Sequence, residues 1–383
     1  MSRVAVSENI LRWALKRSDR TVRDLQKRFP RLEEWIAGKT DPTLRQLESL
    51  ARATLTPLGY FFLSEPPEEQ LPMPHFRTIR KRTTKGPSPN LLETVHIMQR
   101  RQSWMRENLI EQGQEPLSFI NTARISQGIN LVAEKIRKAL GFSPSWASKE
   151  RNWTEALRTL RESIESAGIM VVVNGVVDNN TSRKLDPDEF KGFVLVDDYA
   201  PLVFVNGADG KASQMFTLAH EIAHLIFGSS AAFDLRNMLP ANDPTELACN
   251  QVAAEFLVPE SELRQRWTAI KKDTETFQRI ASIFKVSSIV GARRALDLGL
   301  ISKREFLEFY SAYQSDERRT AARRPDGGNF YATQNMRVGR RFASAVIIAA
   351  KEGKLLYSDA YKLTSLYGKT FERYATSLGI KGV

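Results

Sequence analysis

Two histidines with a glutamate between them are the residues of this sequence best spaced for chemistry. His220-Glu221-Ile222-Ala223-His224 has the pattern HExxH. Side chains at positions i and i+4 share one face of a helix, about 5–6 Å apart at Cβ, so both imidazoles can bind one zinc ion. Glu221 lies about a quarter turn away, beside the open coordination position, and is predicted to be the general base.

The surroundings of this motif predict a partly buried helix. Residues 216–219 and 225–227 add no charge to it, and only four histidines occur in the whole chain. Two helical histidines could coincide by chance, but the low frequency of histidine makes a zinc site the favoured interpretation.

A third protein ligand is needed, because zinc sites in hydrolases use three protein ligands and one open position. The position at which an extended HExxH motif would place another histidine holds Ser230. Glu246, 22 residues after His224, lies on the next predicted helix and is the preferred candidate. Asn250 lies four residues after Glu246 on the same helix face, and it is predicted to hold one of the metal ligands in place by a hydrogen bond without binding the metal itself.

Other residues are weaker candidates for the third ligand. Glu255 and Asp234 are the remaining carboxylates considered, whereas Cys249, although chemically suitable, is predicted to pack among small apolar side chains. His75 and His96 lie far upstream and are predicted to be ordinary surface or packing histidines.

The elements that must position these residues can be predicted from periodicity. Helices are expected over about 212–227, ending at Gly228, and over 244–257, ending at Pro259. Three runs rich in β-branched residues predict a small sheet, at 168–173, 192–196 and 201–205. We expect an extended substrate to pair with the last of these strands as an added edge.

The pattern along the chain predicts four parts and a mostly helical α+β fold. Four short helices in about 60 residues favour a helix-turn-helix type bundle, and four prolines within 64–74 predict a linker. The predicted parts are an N-terminal helical domain (1–62), a proline-rich linker and helical connector (63–130), a domain that contains the HExxH motif (131–315) and a C-terminal basic helical extension (316–383).

Charge and composition restrict the partners and the compartment. The 383 residues carry a net charge of +12, with 20 basic and 12 acidic residues in 1–110 and 9 basic and 3 acidic residues in 317–354. Two basic regions of this kind predict a polyanion or an acidic protein as binding partner. The alternative is that the basic residues only form a solvated surface. A single cysteine, no apolar leader and no long apolar run predict a cytoplasmic protein without disulfides or membrane spans.

A family resemblance is visible in two segments. FTLAHEIAHLIFG at 216–228 and ELACNQVAAEFLVP at 246–259 resemble the ImmA/IrrE zinc metallopeptidases, with Cys249 in place of the usual alanine and Val252 in place of phenylalanine. The resemblance covers roughly 130–315. It implies a gluzincin-like peptidase with zinc held by His220, His224 and Glu246 and with Glu221 as base.

The N-terminal part resembles an Xre-type helix-turn-helix unit, as in the long subfamily of these peptidases. Trp35-Ile-Ala-Gly-Lys-Thr-Asp-Pro42 is similar to the end of a recognition helix and its turn, but only ten positions separate Leu25 from Trp35. The recognition helix is therefore predicted to be short. Weak DNA binding and docking of a protein both stay open for this unit.

Three functional hypotheses follow. The leading one is a zinc-dependent endopeptidase acting on a regulatory protein, because the resemblance implies cleavage of Xre-type repressors. The second is an antitoxin that binds and masks a PIN-like ribonuclease toxin encoded nearby, with or without proteolysis and with autoregulatory DNA binding. The third, a plain DNA-binding repressor, is disfavoured by the short recognition helix. The oligomeric state stays open.

Overall fold

The computed structural model describes residues 3–69, 87–228, 232–233, 243–315 and 333–380. The chain divides into two compact units, Met1–Pro72 with Arg80–Val95 and Met73–Ile79 with His96–Val383. The four predicted parts remain a prediction, and the proline-rich segment lies outside the described residues from position 70 onward.

The smaller unit contains four short helices, as the sequence predicts. Thr21 and Asp24 form the predicted cap, in which the Thr21 hydroxyl accepts a hydrogen bond from the Asp24 N–H and the Asp24 carboxylate accepts one from the Thr21 N–H. The helices are α1 (Glu8–Arg17), α2 (Val22–Leu25), α3 (Leu32–Ile36) and α4 (Leu44–Ala53), followed by a 3-10 turn (Leu58–Phe62). Ile10, Leu47 and Phe61 are fully buried at the centre of this bundle.

The larger unit is mostly helical. Helix α5 (Pro89–Glu111) contains the boundary between the two units. The others are α6 (Ile129–Leu140), α7 (Trp153–Ser166), α8 (Lys211–Phe227), α9 (Pro244–Leu257), α10 (Glu260–Ile270), α11 (Thr276–Phe284), α12 (Ser288–Asp297), α13 (Lys303–Ser315), α14 (Arg340–Lys351), α15 (Tyr357–Thr364) and α16 (Gly368–Ser377). None of the described helices is long and apolar enough to cross a membrane.

The sheet of this unit contains the three predicted strands and one more short strand. Its members are β1 (Met170–Asn174), β4 (Gly192–Leu195), β5 (Leu202–Asn206) and β6 (Ala232–Phe233), in the order β1-β5-β4-β6. β1 and β5 are parallel, whereas β4 is antiparallel to both β5 and β6. A separate hairpin is formed by β2 (Val176–Val177) and β3 (Asn180–Lys184).

The strand order overturns one expectation. β5 lies between β1 and β4, so both of its edges already carry backbone hydrogen bonds. The expectation that a substrate adds to the strand at 201–205 is therefore wrong, because an added strand needs a free edge.

The two helices that bear the predicted site begin and end close to their predicted limits. α8 is buried from Gln214 to Ile226, because most of its residues are apolar and its polar residues also face the protein interior. It ends at Gly228, whose φ of +70° suits a residue without a Cβ atom. Asp243 caps the start of α9, where its carboxylate accepts a hydrogen bond from the Thr245 N–H. Proline occupies the first helical position, Pro244, where its missing N–H costs no hydrogen bond.

The C-terminal helices are joined to the sheet through a single π-helical turn, Asn335–Gly339, which packs against the outer strand β1. Arg101 of α5, only 2% exposed, donates hydrogen bonds to the carbonyl groups of Leu363 and Arg337 and lies 3.4 Å from Asp178. Burying a cation is costly unless it has such partners. Because both carbonyl groups belong to the C-terminal segment, Arg101 links that segment to α5.

Gly339 offers a test of this packing. Its φ of 85° and ψ of 124° lie in a region that side chains avoid, and a Cβ atom there would lie 2.8 Å from the Val171 carbonyl oxygen. Gly353 also has a positive φ, 72°, but nothing lies within 4 Å of its Cβ position. We expect Gly353→Ala to cost about 1–2 kcal/mol and Gly339→Ala about 2 kcal/mol more. The free energies of unfolding in urea measure both, and equal losses would contradict the packing described.

Candidate metal centre

Three side chains from two helices converge in the larger unit. His220 and His224 of α8 meet Glu246 of α9, and their ligating atoms all lie within 4.8 Å of one another. The two Nε2 atoms are 3.0 Å apart, and they lie 3.3 and 3.4 Å from the carboxylate oxygens of Glu246. The structure therefore brings together the three residues that the sequence analysis selected as ligands.

The spacing of these donors fits a tetrahedral metal site. Bonds of about 2.0–2.1 Å at the tetrahedral angle separate neighbouring donor atoms by about 3.3–3.4 Å. The two imidazole nitrogens are 3.0 Å apart, and each has one Glu246 oxygen at a comparable distance, Oε2 at 3.3 Å from His220 and Oε1 at 3.4 Å from His224. Two neutral imidazoles and one carboxylate carry a single negative charge, which suits a divalent cation.

Asn250 orients the first histidine. Its Oδ1 lies 3.1 Å from Nδ1 of His220, on the side of the ring opposite the cluster. Because an amide oxygen only accepts hydrogen bonds, this contact places the ring proton on Nδ1 and leaves the Nε2 lone pair directed at the cluster. Glu246 and Asn250 are one helical turn apart, so α9 supplies both a donor and the residue that orients another donor.

Burial controls the protonation of the donors. His220 and His224 are fully buried, and burial lowers the pKa of His220 to about 4, with the neighbouring His224 ring acting in the same direction. Burial alone would raise the pKa of Glu246, but hydrogen bonds with the two imidazoles outweigh it and hold that pKa well below its usual range. At neutral pH His220 is thus an imidazole and Glu246 a carboxylate, the forms that bind metals.

Glu221 lies inside the same site but outside the donor set. Its side chain is fully buried, and neither carboxylate oxygen has a hydrogen-bond partner among the described residues. Burial, followed by the charge of Glu246, raises the pKa of Glu221 well above its usual range. A buried carboxylate without a partner is costly, and such groups with raised pKa values are found where proton transfer takes place.

A glycine in the sheet makes room for this carboxylate. A Cβ atom on Gly192 of β4 would lie 2.5 Å from the Thr217 side chain, 2.7 Å from the Phe204 carbonyl oxygen and 3.4 Å from Oε1 of Glu221. Only a residue without a side chain allows α8 to approach β4 this closely. The sequence analysis missed this role, because nothing in the local pattern around Gly192 shows which helix it faces.

The weaker candidates lie elsewhere. Glu255 is bound by two arginines rather than by the histidines, and Cys249 is fully buried, where burial raises the pKa of its thiol. His96 is an exposed residue of α5. The remaining positions considered, His75, Ser230 and Asp234, lie outside the described residues.

Comparisons with known proteins find matches to two segments of the chain. Residues 164–296 match the M78 peptidase family described as the IrrE N-terminal-like domain. Residues 338–377, within the predicted C-terminal extension, match a domain of unknown function (DUF8813). No curated protein and no solved structure matches the chain. The matched segment runs from the end of α7 to the end of α12 and contains the whole cluster, and the match supports an ImmA/IrrE-type peptidase domain at residues 164–296.

Proposed function

We propose that the chain is a zinc-dependent endopeptidase that cleaves a regulatory protein such as an Xre-type repressor. The observation that carries this proposal is the pairing of a convergent donor set with a buried acid beside it. His220, His224 and Glu246 direct their ligating atoms to one point, and Glu221 adds a carboxylate without a hydrogen-bond partner among the described residues. Binding of a metal alone would not need that fourth group.

Zinc is the metal that this donor set suits best. Imidazole nitrogen and carboxylate oxygen at tetrahedral spacing are typical of zinc hydrolases, in which three protein ligands leave one coordination position open. When bound, zinc supplies a Lewis acid that polarises a peptide carbonyl group and makes a water molecule more acidic.

The residues of the chain then perform the proton transfers. Glu221, which has no hydrogen bond to give up among the described residues, accepts a proton from the attacking water and returns it to the leaving amine. Burial raises the pKa of Glu221, which makes its carboxylate a stronger base for the first of these steps. Asn250 holds the His220 ring in place throughout.

Glu221→Gln tests the assignment of the base. The amide cannot take up the proton of water, so we expect turnover to fall by about 10²–10⁴-fold, while zinc content stays at the wild-type level because Glu221 lies outside the donor set. Cleavage of a co-expressed Xre-type repressor, followed on gels, measures turnover. Glu262→Gln, an acid of α10 paired with Arg266, is the control.

Two results would contradict this assignment: loss of zinc in Glu221→Gln, or cleavage by this variant at the wild-type rate.

The same variant distinguishes a protease from an antitoxin. A chain that neutralises a PIN-like toxin by binding alone would keep that activity in Glu221→Gln.

A second candidate activity, binding of a nucleic-acid backbone, is favoured by a cleft in the smaller unit. Arg28, Arg31 and Arg45 line a cavity of about 470 Å³, which is within the size range of small-ligand pockets. None of the three has an acidic partner within the described part of the chain. The other lining residues are Phe29, Pro30, Trp35, Gln46 and Ser49. Guanidinium groups grouped in this way suit phosphate oxygens.

The helix next to this cleft is unsuited to reading bases. α3 has only five residues, and Leu32, Trp35 and Ile36 are buried in the bundle. Glu33 and Glu34 are its acidic residues, and their charge disfavours insertion of α3 into a groove lined by phosphates. We therefore propose that the smaller unit contacts phosphates without sequence preference.

A gel-shift titration at several salt concentrations tests this second activity. Each phosphate contact contributes about 0.9 to the slope of log affinity against log salt, so Arg28→Gln/Arg31→Gln/Arg45→Gln should lower the slope by up to about 3. Arg12→Gln, which alters an arginine paired with Glu8, is the control. Tight, salt-resistant binding to one promoter but not to scrambled DNA would contradict a backbone-only contact.

A further inference from the structure

The C-terminal end of α9 is held by a buried cluster of three charged residues, which we call the α9 clamp. Glu255 of α9 lies between Arg137 of α6 and Arg294 of α12. The three residues are only 5%, 8% and 7% exposed, respectively. Charged side chains are rarely buried to this extent unless they are paired, so the cluster is a built feature of the fold.

The clamp binds the backbone as well as the carboxylate. Arg137 donates from Nη2 to both the carbonyl oxygen and Oε1 of Glu255. Arg294 donates from Nη2 to Oε2 of Glu255 and from Nε to the Val258 carbonyl oxygen, at 3.0 Å. The N–H of Glu260, at the start of α10, also donates to Oε2. The last turn of α9 is thereby tied to α6, α10 and α12.

The same helix carries the site at its other end. Glu246 precedes Glu255 by nine residues, about 14 Å along a helix, and Asn250 lies between them. Glu246 must keep both carboxylate oxygens 3.3–3.4 Å from the imidazoles, and Asn250 must stay 3.1 Å from the His220 ring. A slide of α9 along its axis by about 1 Å would break these distances, since hydrogen bonds and metal bonds tolerate less.

Apolar packing alone gives weak control over such a slide. The apolar residues that α9 buries include the small Cys249 and Ala253 beside the larger Val252 and Phe256, and the hydrophobic attraction between such groups has no direction. Charge-assisted hydrogen bonds do have direction, and buried ion clusters are better explained by specificity than by stability.

We propose that Arg137, Glu255 and Arg294 are positioning residues that fix the register of α9, so that Glu246 and Asn250 reach the two histidines. The inference rests on the proposed metal site, and it identifies the contacts that place Glu246 and Asn250 in that site. It assigns Glu255, one of the candidate ligands considered from the sequence, a role away from the metal.

Replacing the clamp by apolar side chains separates register from stability. In Arg137→Met/Glu255→Leu/Arg294→Met the cluster is exchanged for packing of similar volume, a change that often leaves stability intact. We expect zinc affinity, measured by competition with a coloured chelator, to fall about 10- to 100-fold. The visible spectrum of the cobalt(II)-loaded chain should change as well, because it reports the geometry of the donors.

Glu255→Gln is the second variant, since it keeps the shape of the side chain and removes its charge. Arg101→Met is the matched control: it removes an equally buried arginine whose carbonyl partners lie in the C-terminal segment, and it should leave zinc affinity unchanged even if it lowers stability.

The outcomes distinguish the clamp from the metal site. Wild-type affinity and cobalt spectrum in both clamp variants would overturn the inference and leave the proposed function standing. Equal losses in Arg101→Met and the clamp variants would also overturn it, because the effect would then be one of general stability. A wild-type chain that binds no zinc would overturn the proposed function and this inference together.

Discussion

The packing of α9 against α8 is the contact on which the candidate site depends. Each helix contributes two residues four positions apart, His220 and His224 on one, Glu246 and Asn250 on the other, and neither pair forms a site alone. His220 and His224 are fully buried and the Glu246 side chain is 16% exposed, so little space is left to absorb an error in helix register. Two features hold these helices in place. Gly192 of β4 allows α8 to pack closely on the sheet, and buried charged residues fix the C-terminal end of α9.

The electrostatics of the site work against the stability of the fold. Two carboxylates, those of Glu221 and Glu246, are removed from water close to each other, and burial raises the pKa of the first well above its usual range. Glu246 is compensated by the imidazoles, whereas no described residue compensates Glu221. Strain of this kind at functional sites is supported by the surrounding structure. Here the support comes from the largely buried helix α8, the sheet that packs against it and the α9 clamp.

The sequence was enough to predict the parts of the site that depend on helical periodicity. His220, His224, Glu246 and Asn250 could be selected because a spacing of four residues places side chains on one helix face whatever the fold. Contacts between distant segments could not be predicted in this way. The order of the strands, which places β5 at the centre of the sheet, leaves no mark on the local pattern. The pairing of Glu255 with arginines more than 30 residues away also depends on tertiary packing.

The most direct measurement of the central claim is the metal content of the purified chain after equilibration with zinc and removal of loosely bound ions. The account predicts about one zinc ion per chain, its loss in His220→Ala/His224→Ala, and its retention in His96→Ala, which alters an exposed histidine of α5. Full retention of zinc in the double variant would contradict the account, because the two imidazoles would then not be the ligands.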